Sequence, residues 1–143
     1  MDKTFYFDNA FQSSSEKIGL KEAKFEDYKL VLKLRNEKIM RKNSFNSKII
    51  FLTHHMEWFK KHWREYKIIT IGNKDIGYIR IDNMGFIGIV LFPKYRNMGI
   101  GKSILKQIKK GKALIKTSNK QSISCFTKSQ FKIKGFYLEK KCQ

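Results

Sequence analysis

The run Val90-Leu91-Phe92-Pro93-Lys94-Tyr95-Arg96-Asn97-Met98-Gly99-Ile100-Gly101-Lys102 constrains this chain most. An apolar, strand-like segment ends at a proline. The chain then turns through Arg-x-x-Gly-x-Gly, and a lysine-rich amphipathic pattern begins. Strand, glycine loop and helix, in that order, aim several backbone N–H groups at one phosphate. Glycine lets the backbone approach an anion closely, and a helix start adds partial positive charge. Arg96 and Lys102 add full charges. The amides of Arg96, Asn97, Met98, Gly99, Ile100, Gly101 and Lys102 are therefore expected to hold a pyrophosphate.

Two familiar loops do not fit. Gly101-Lys102-Ser103 looks like the end of a Walker A motif, but Arg96 stands where that motif needs its first glycine. A dinucleotide fingerprint needs a third glycine where Ile104 stands. What remains resembles the coenzyme A loop of the GCN5-related N-acetyltransferases. The plain alternative is a strand-to-helix turn that merely needs small residues.

The chain has 143 residues, 41% of them hydrophobic and 14% aromatic, enough for one domain with a packed core. No apolar run approaches the ~18–20 residues of a membrane span, and the first residues lack the apolar stretch of a signal peptide. A cytoplasmic protein is expected. Cys125 and Cys142 are too few for a disulfide framework or a zinc site. The net charge of +19 favours anionic partners. The lysines are scattered rather than gathered in one arm, which weighs against a dedicated nucleic-acid surface.

Residues 1–17 read as a variable leader. Ile18 to Ala23 reads as a strand, and Phe25 to about Met40 as a helix carrying Tyr28, Val31 and Leu32, widened by Leu30 and Leu34. A second helix is expected from an N-cap at Thr53 to Tyr66, with Met56, Phe59 and Trp63 as its apolar stripe. Strands follow at Lys67–Ile71, Ile76–Ile81 and Phe86–Leu91, joined by Gly-Asn-Lys-Asp and Asp-Asn-Met-Gly turns, hence an antiparallel meander. The helix after the loop carries Ile100, Ile104, Leu105 and Ile108. A short strand at Leu114–Thr117, a helix at Ser122–Lys128 and a strand at Phe131–Lys140 complete a single α+β domain.

This β–α–α–β–β–β–α–β–α–β order is similar to the acetyltransferase family from about residue 18 onward. The resemblance implies a mixed, mainly antiparallel sheet flanked by about four helices, with acetyl-CoA as co-substrate and no metal. It implies that a bulge bends the strand before the loop. The backbone of Val90, Leu91 and Phe92 would pair with the pantetheine arm, and an amide near Leu91 or Phe92 would face the developing oxyanion. It also implies cofactor contacts at Asn119 and Phe126. The family usually has tyrosine where Phe126 stands, to protonate the leaving thiolate. Phenylalanine cannot, so the proton would come from water, Cys125, Ser122 or Tyr137, or else the protein only binds.

Candidates for the catalytic base are Glu57, His55, His54 and Asp82, and Cys125 is a further catalytic candidate. On the acceptor side, Arg35, Asn36, Arg41 and the His-x-x-Trp-Phe stretch with Trp58 resemble a subgroup that acetylates nucleotide-linked amino sugars of the pseudaminic type, or protein N-termini as in ribosomal-protein acetyltransferases. Arg35 and Arg41 suit phosphates, and Trp58 suits a stacked base or sugar. The expected acceptor is the amine of a nucleotide-linked amino sugar. The alternatives are a peptide N-terminus, or a coenzyme A- or nucleic-acid-binding module without catalysis. The sequence allows a homodimer. The three histidines lack the His-Glu-x-x-His spacing of a metal site.

Overall fold

The computed structural model describes residues 18–142, so the expected leader lies outside the described residues. Four strands form one antiparallel sheet in the order β1 (Ile18–Glu22), β2 (Tyr66–Ile71), β3 (Lys74–Ile81) and β4 (Ile87–Leu91). Five α-helices accompany it: α1 (Tyr28–Arg35), α2 (Lys38–Asn43), α3 (Leu52–His62), α4 (Ile100–Leu105) and α5 (Lys120–Lys128). The α+β expectation holds, with an all-antiparallel sheet among the described strands. Parallel pairing shrinks to a single bridge between Phe86 and Lys112.

The strands alternate as their sequences require. Tyr66, Ile68, Tyr78 and Val90 meet Val31, Leu34 and Phe59 of α1 and α3 on one face. Ile69, Ile79, Ile81 and Ile87 meet Ile100, Ile104, Leu105 and Phe126 of α4 and α5 on the other. Ile76 joins this second core because β3 carries one extra residue there: Ile69 pairs with Gly77 and Thr70 with Asp75. Such a bulge flips one side chain and bends the strand. It sits in β3, beside the end of β4, rather than in the strand before the loop.

Gly77 is fixed by the neighbouring strand. A Cβ there would lie 2.2 Å from the Val90 carbonyl oxygen and 2.9 Å from the Leu91 Cα. Only glycine lets β3 and β4 come this close.

Several expected elements differ. The first helix breaks at Glu37, whose backbone is extended and whose carboxylate accepts from the amides of Ile39 and Met40, so it caps a separate helix α2. The N-cap of α3 is Phe51, two residues before Thr53, and it contributes no side-chain cap. Helix α4 ends at Leu105, short of the expected length. Residues 114–117 form no strand: after Lys112 the backbone leaves β4, while Ala113 and Ile115 still pack on the second core. Residues 131–140 form none either. Phe131 packs edge-on against Phe126, but Ile133, Phe136 and Leu138 lie exposed with no strand beside them.

The contrast between two strand glycines tests this packing. Gly77→Ala is expected to destabilise the protein by about 1–3 kcal/mol, read as a lower urea midpoint. Gly88→Ala, where a Cβ meets nothing within 4 Å, is expected to leave the midpoint unchanged or higher.

Candidate functional site

Among the described residues, the outer edge of β4 faces no strand beyond the Phe86–Lys112 bridge, and strand alternation decides which backbone groups it presents. The amide of Ile87 donates outward to the Lys112 carbonyl at 2.8 Å. The amide of Phe92 donates inward to the Ile76 carbonyl at 2.9 Å, and the Val90 carbonyl also points at β3. With a two-residue period, Ile89 and Leu91 therefore present their amides to the free edge. This corrects the expectation for Val90 and Phe92, whose backbone groups are committed to β3. Leu91 stays with the free edge, and Ile89 joins it, a residue the sequence reading missed.

The edge runs straight into the glycine loop. The last inward-bonded amides are those of Tyr95 and Arg96, which donate to Phe92 and Pro93. Among the described residues, the amides from Asn97 to Lys102 make no backbone hydrogen bond outside their own helix. Two left-handed residues shape the stretch: Asn97 at φ +60° and Gly99, the N-cap of α4, at φ +78°. The second of these favours glycine for conformational reasons. The fold does not require glycine at position 101: a Cβ there would lie 3.4 Å from the Cys125 Sγ and 3.9 Å from the Ile89 Cδ1, ordinary contacts.

Arg96 is not a free cation over this loop. Its Nε donates to the Leu91 carbonyl at 3.0 Å and one terminal nitrogen donates to Glu37 at 2.8 Å. The Arg96 guanidinium holds the Glu37 carboxyl below its usual range. One side chain thus ties the exit of β4 to the start of α2. Asn119 caps α5 by accepting from the Ser122 amide and donating to its hydroxyl. Gln121 donates to the Asn97 side chain, so α5 and the loop are joined. Phe126 is buried in the core rather than at the loop surface. Cys125 is half-buried beside Gly101, and burial pushes its thiol up, so it keeps its proton at neutral pH. That state suits a proton donor and opposes a thiolate nucleophile. Tyr137 lies exposed, edge-on to Phe45.

The proposed base at His55 does not survive the geometry. Its ring is 1% exposed, Nε2 donates to the Tyr28 carbonyl at 2.9 Å, and burial lowers its pKa. It is a neutral core histidine stacked on Phe59. Glu57 lines an open groove of about 590 Å³ with Phe25, Met56, Lys60, Trp63 and Arg64, and no loop residue borders it. Asp82 accepts from the amides of Met84 and Phe86 and so serves its turn. His54 is exposed against Phe51.

On the acceptor side, Asn36 clamps Ile50 by two 2.8 Å bonds, which fixes residues 44–51 against α1. Arg41 donates to the carbonyls of Asn36 and Ser47. Both of these expected substrate contacts are therefore used by the fold. Arg35 and Trp58 are brought together: the guanidinium lies 4.8 Å from the indole centroid. Arg80 lies at the same distance from that ring, and His62 stacks on it at 4.5 Å. Among the described residues, no group of three His, Cys, Asp or Glu side chains is arranged to hold a metal, and no helix is long and apolar enough to cross a membrane.

No protein family matches the chain by sequence, and no curated protein does. Solved structures do match. An acetyltransferase of the GNAT family from Bacillus anthracis superposes with a TM-score of 0.68 at 16% identity, over 87% of this chain and 85% of that one. The fold is that of the GNAT acetyltransferases. Spermidine N-acetyltransferase from Vibrio cholerae, in complex with CoA and spermine, gives a TM-score of 0.71 at 14% identity, covering 86% and 85%. An aminoglycoside acetyltransferase in complex with coenzyme A gives 0.65 at 15%, covering 83% and 86%.

The Glu37–Arg96 pair carries a pH signature. A carboxyl held low in the folded state stabilises above its unfolded pKa, and that stability fades as pH falls through the folded value. Glu37→Gln is expected to lower the melting temperature at pH 7. The gap should close only in acid, beginning below the ordinary value of 4.5. Thermal melts of both proteins from pH 7 to pH 3 check this.

Proposed function

We propose that the protein is an acetyl-CoA-dependent N-acetyltransferase acting on the primary amine of a small molecule. The observation that carries this reading is continuous backbone: outward amides at Ile89 and Leu91 lead directly into a loop of unengaged amides from Asn97 to Lys102. An extended arm can add to the strand edge while a pyrophosphate meets the loop. The GNAT structures bound to coenzyme A support acetyl-CoA as the co-substrate.

The chemistry is acyl transfer in a ternary complex. The neutral amine attacks the thioester carbon, the C–N bond forms and the C–S bond breaks. The Leu91 amide faces the developing oxyanion, a preorganised donor that needs no reorientation. The nitrogen releases its proton to water, and the coenzyme A thiolate takes one from water or from the Cys125 thiol. A thiol with an ordinary pKa of about 8.5 is a fair leaving group, so a buried phenylalanine at position 126 is compatible with turnover.

For the acceptor we infer the amine of a nucleotide-linked amino sugar. The net charge of +19 and the Arg35–Trp58 stack support an anionic acceptor with a planar part. A polycation would be repelled by the same surface.

Thiol release from acetyl-CoA against amino-sugar nucleotides, peptides and polyamines tests the reading. Release with the sugar nucleotides alone is expected; release with peptides alone would replace this acceptor with a protein N-terminus. The absence of both release and coenzyme A binding would overturn the reaction. Gly101→Ala separates binding from folding. It is expected to leave the melting temperature unchanged or higher and to weaken coenzyme A by about tenfold or more, measured by calorimetry.

A further inference from the structure

Two guanidinium groups share one indole on the α1–α3 face of the sheet. Arg35, at the end of α1, and Arg80, near the end of β3, each lie 4.8 Å from the Trp58 centroid, so they are less than two such lengths apart. Their environments differ. Arg80 donates twice to Glu65 Oε2, at 2.9 and 2.8 Å, and His62 bonds the other oxygen of the same carboxylate at 3.0 Å. Arg35 has no hydrogen-bond acceptor among the described residues, although it is half-buried. Glu65 is engaged by Arg80 and His62, and no ion pair to Arg35 is formed among the described residues, so the charge beside Trp58 is positive. The Arg35 guanidinium keeps N–H donors within reach of solvent, open to an anion that replaces water.

Space for such a group lies next to it. Arg80 is in register with Gly88 of β4, so both residues face the α1–α3 side of the sheet. A Cβ on Gly88 would meet nothing within 4 Å, and its φ is not in the left-handed region, so neither packing nor backbone demands glycine. From Gly88 to the outward amide of Leu91 is three residues, about 10 Å of strand. That is about the span of a sugar carrying one phosphate. Burial raises the phenols of Tyr66 and Tyr78, that of Tyr78 to about 12, while the two arginines pull both down, so their field covers this whole face.

We propose that Arg35 and Arg80, stacked on Trp58 on the sheet face that carries the open position at Gly88, form a subsite for a phosphate group of the acceptor. The proposal rests on the acetyl-transfer reading for the role of the amine, and it adds Arg80 and Gly88 to the acceptor side. Guanidinium forks suit phosphate oxygens, and two of them on a rigid ring are preorganised for it.

The test compares glucosamine with glucosamine 1-phosphate, which offer the same amine with and without the anion. The wild-type protein is expected to prefer the phosphorylated amine by about tenfold or more in kcat/KM, a step of about 1.4 kcal/mol. Arg35→Met is expected to abolish the preference by lowering kcat/KM for the phosphorylated amine far more than for glucosamine, and Arg35→Lys to restore part of it. Gly88→Leu is expected to raise KM for the phosphorylated amine with coenzyme A affinity and melting temperature unchanged. Equal use of the two amines by the wild-type protein, or an equal loss for both in Arg35→Met, would overturn the subsite. If neither amine is acetylated, the reaction fails, and the subsite is judged by calorimetry of glucosamine 1-phosphate with the coenzyme A-mixed protein. Binding lost in Arg35→Met then keeps the subsite; absent or equal binding refutes it.

Discussion

Strand β4 is held on one side and left open on the other, and the rest of the site follows from that asymmetry. Gly77 brings β3 so close to Val90 and Leu91 that no side chain fits between them. The inward hydrogen bonds at Val90 and Phe92 fix the register. Once it is fixed, the two-residue period assigns Ile89 and Leu91 to the outer edge without further choice. Lys112 closes that edge only at its start. Unpaired donors on a strand edge are a template for an added extended segment, and here they lie in line with a loop whose own amides make no backbone bond outside their helix among the described residues.

Arg96 links this edge to the opposite half of the molecule. Its bonds to the Leu91 carbonyl and to Glu37 join β4 to the cap of α2. Glu37 in turn holds two amides of α2 and marks the break after α1. A shift of α2 would therefore be felt at Leu91, whose carbonyl and N–H both face the outer edge. Arg96 serves the anion-binding region through the backbone it orients, as well as through its charge.

The loop and the antiparallel meander were legible because each has a local cause. Hairpin turns, a two-residue apolar period and Arg-x-x-Gly-x-Gly are all written in consecutive residues. The errors lie where a distant partner decides. Whether Val90 or Leu91 faces outward depends on the β3 register, and no pattern in β4 alone reveals it. The segment from Phe131 to Lys140 is strand-like in sequence, yet a strand forms only beside another strand. His55 looked like a base because histidine titrates near neutrality; burial under Phe59 and a carbonyl partner remove that property. Asn36 and Arg41 looked like ligand contacts, but their targets are backbone groups several residues away. Glu37 left a usable signal, since a carboxylate two and three residues before unpaired helix amides is a capping pattern.

The acidic residues described around this face are already engaged: Glu37 with Arg96, Glu65 with Arg80 and His62, and Asp82 with its own turn. With 31 lysines and arginines against 12 acidic residues, that leaves positive charge in surplus on this face. Surface cations of this kind steer an anion over a Debye length of roughly 8–10 Å but are screened by salt. The half-buried Arg35 is screened less and acts at contact. Scattered lysines thus account for capture of anionic ligands in general. Discrimination between them falls to the few cations whose positions are fixed by stacking and hydrogen bonds, and on this face those are the arginines on Trp58.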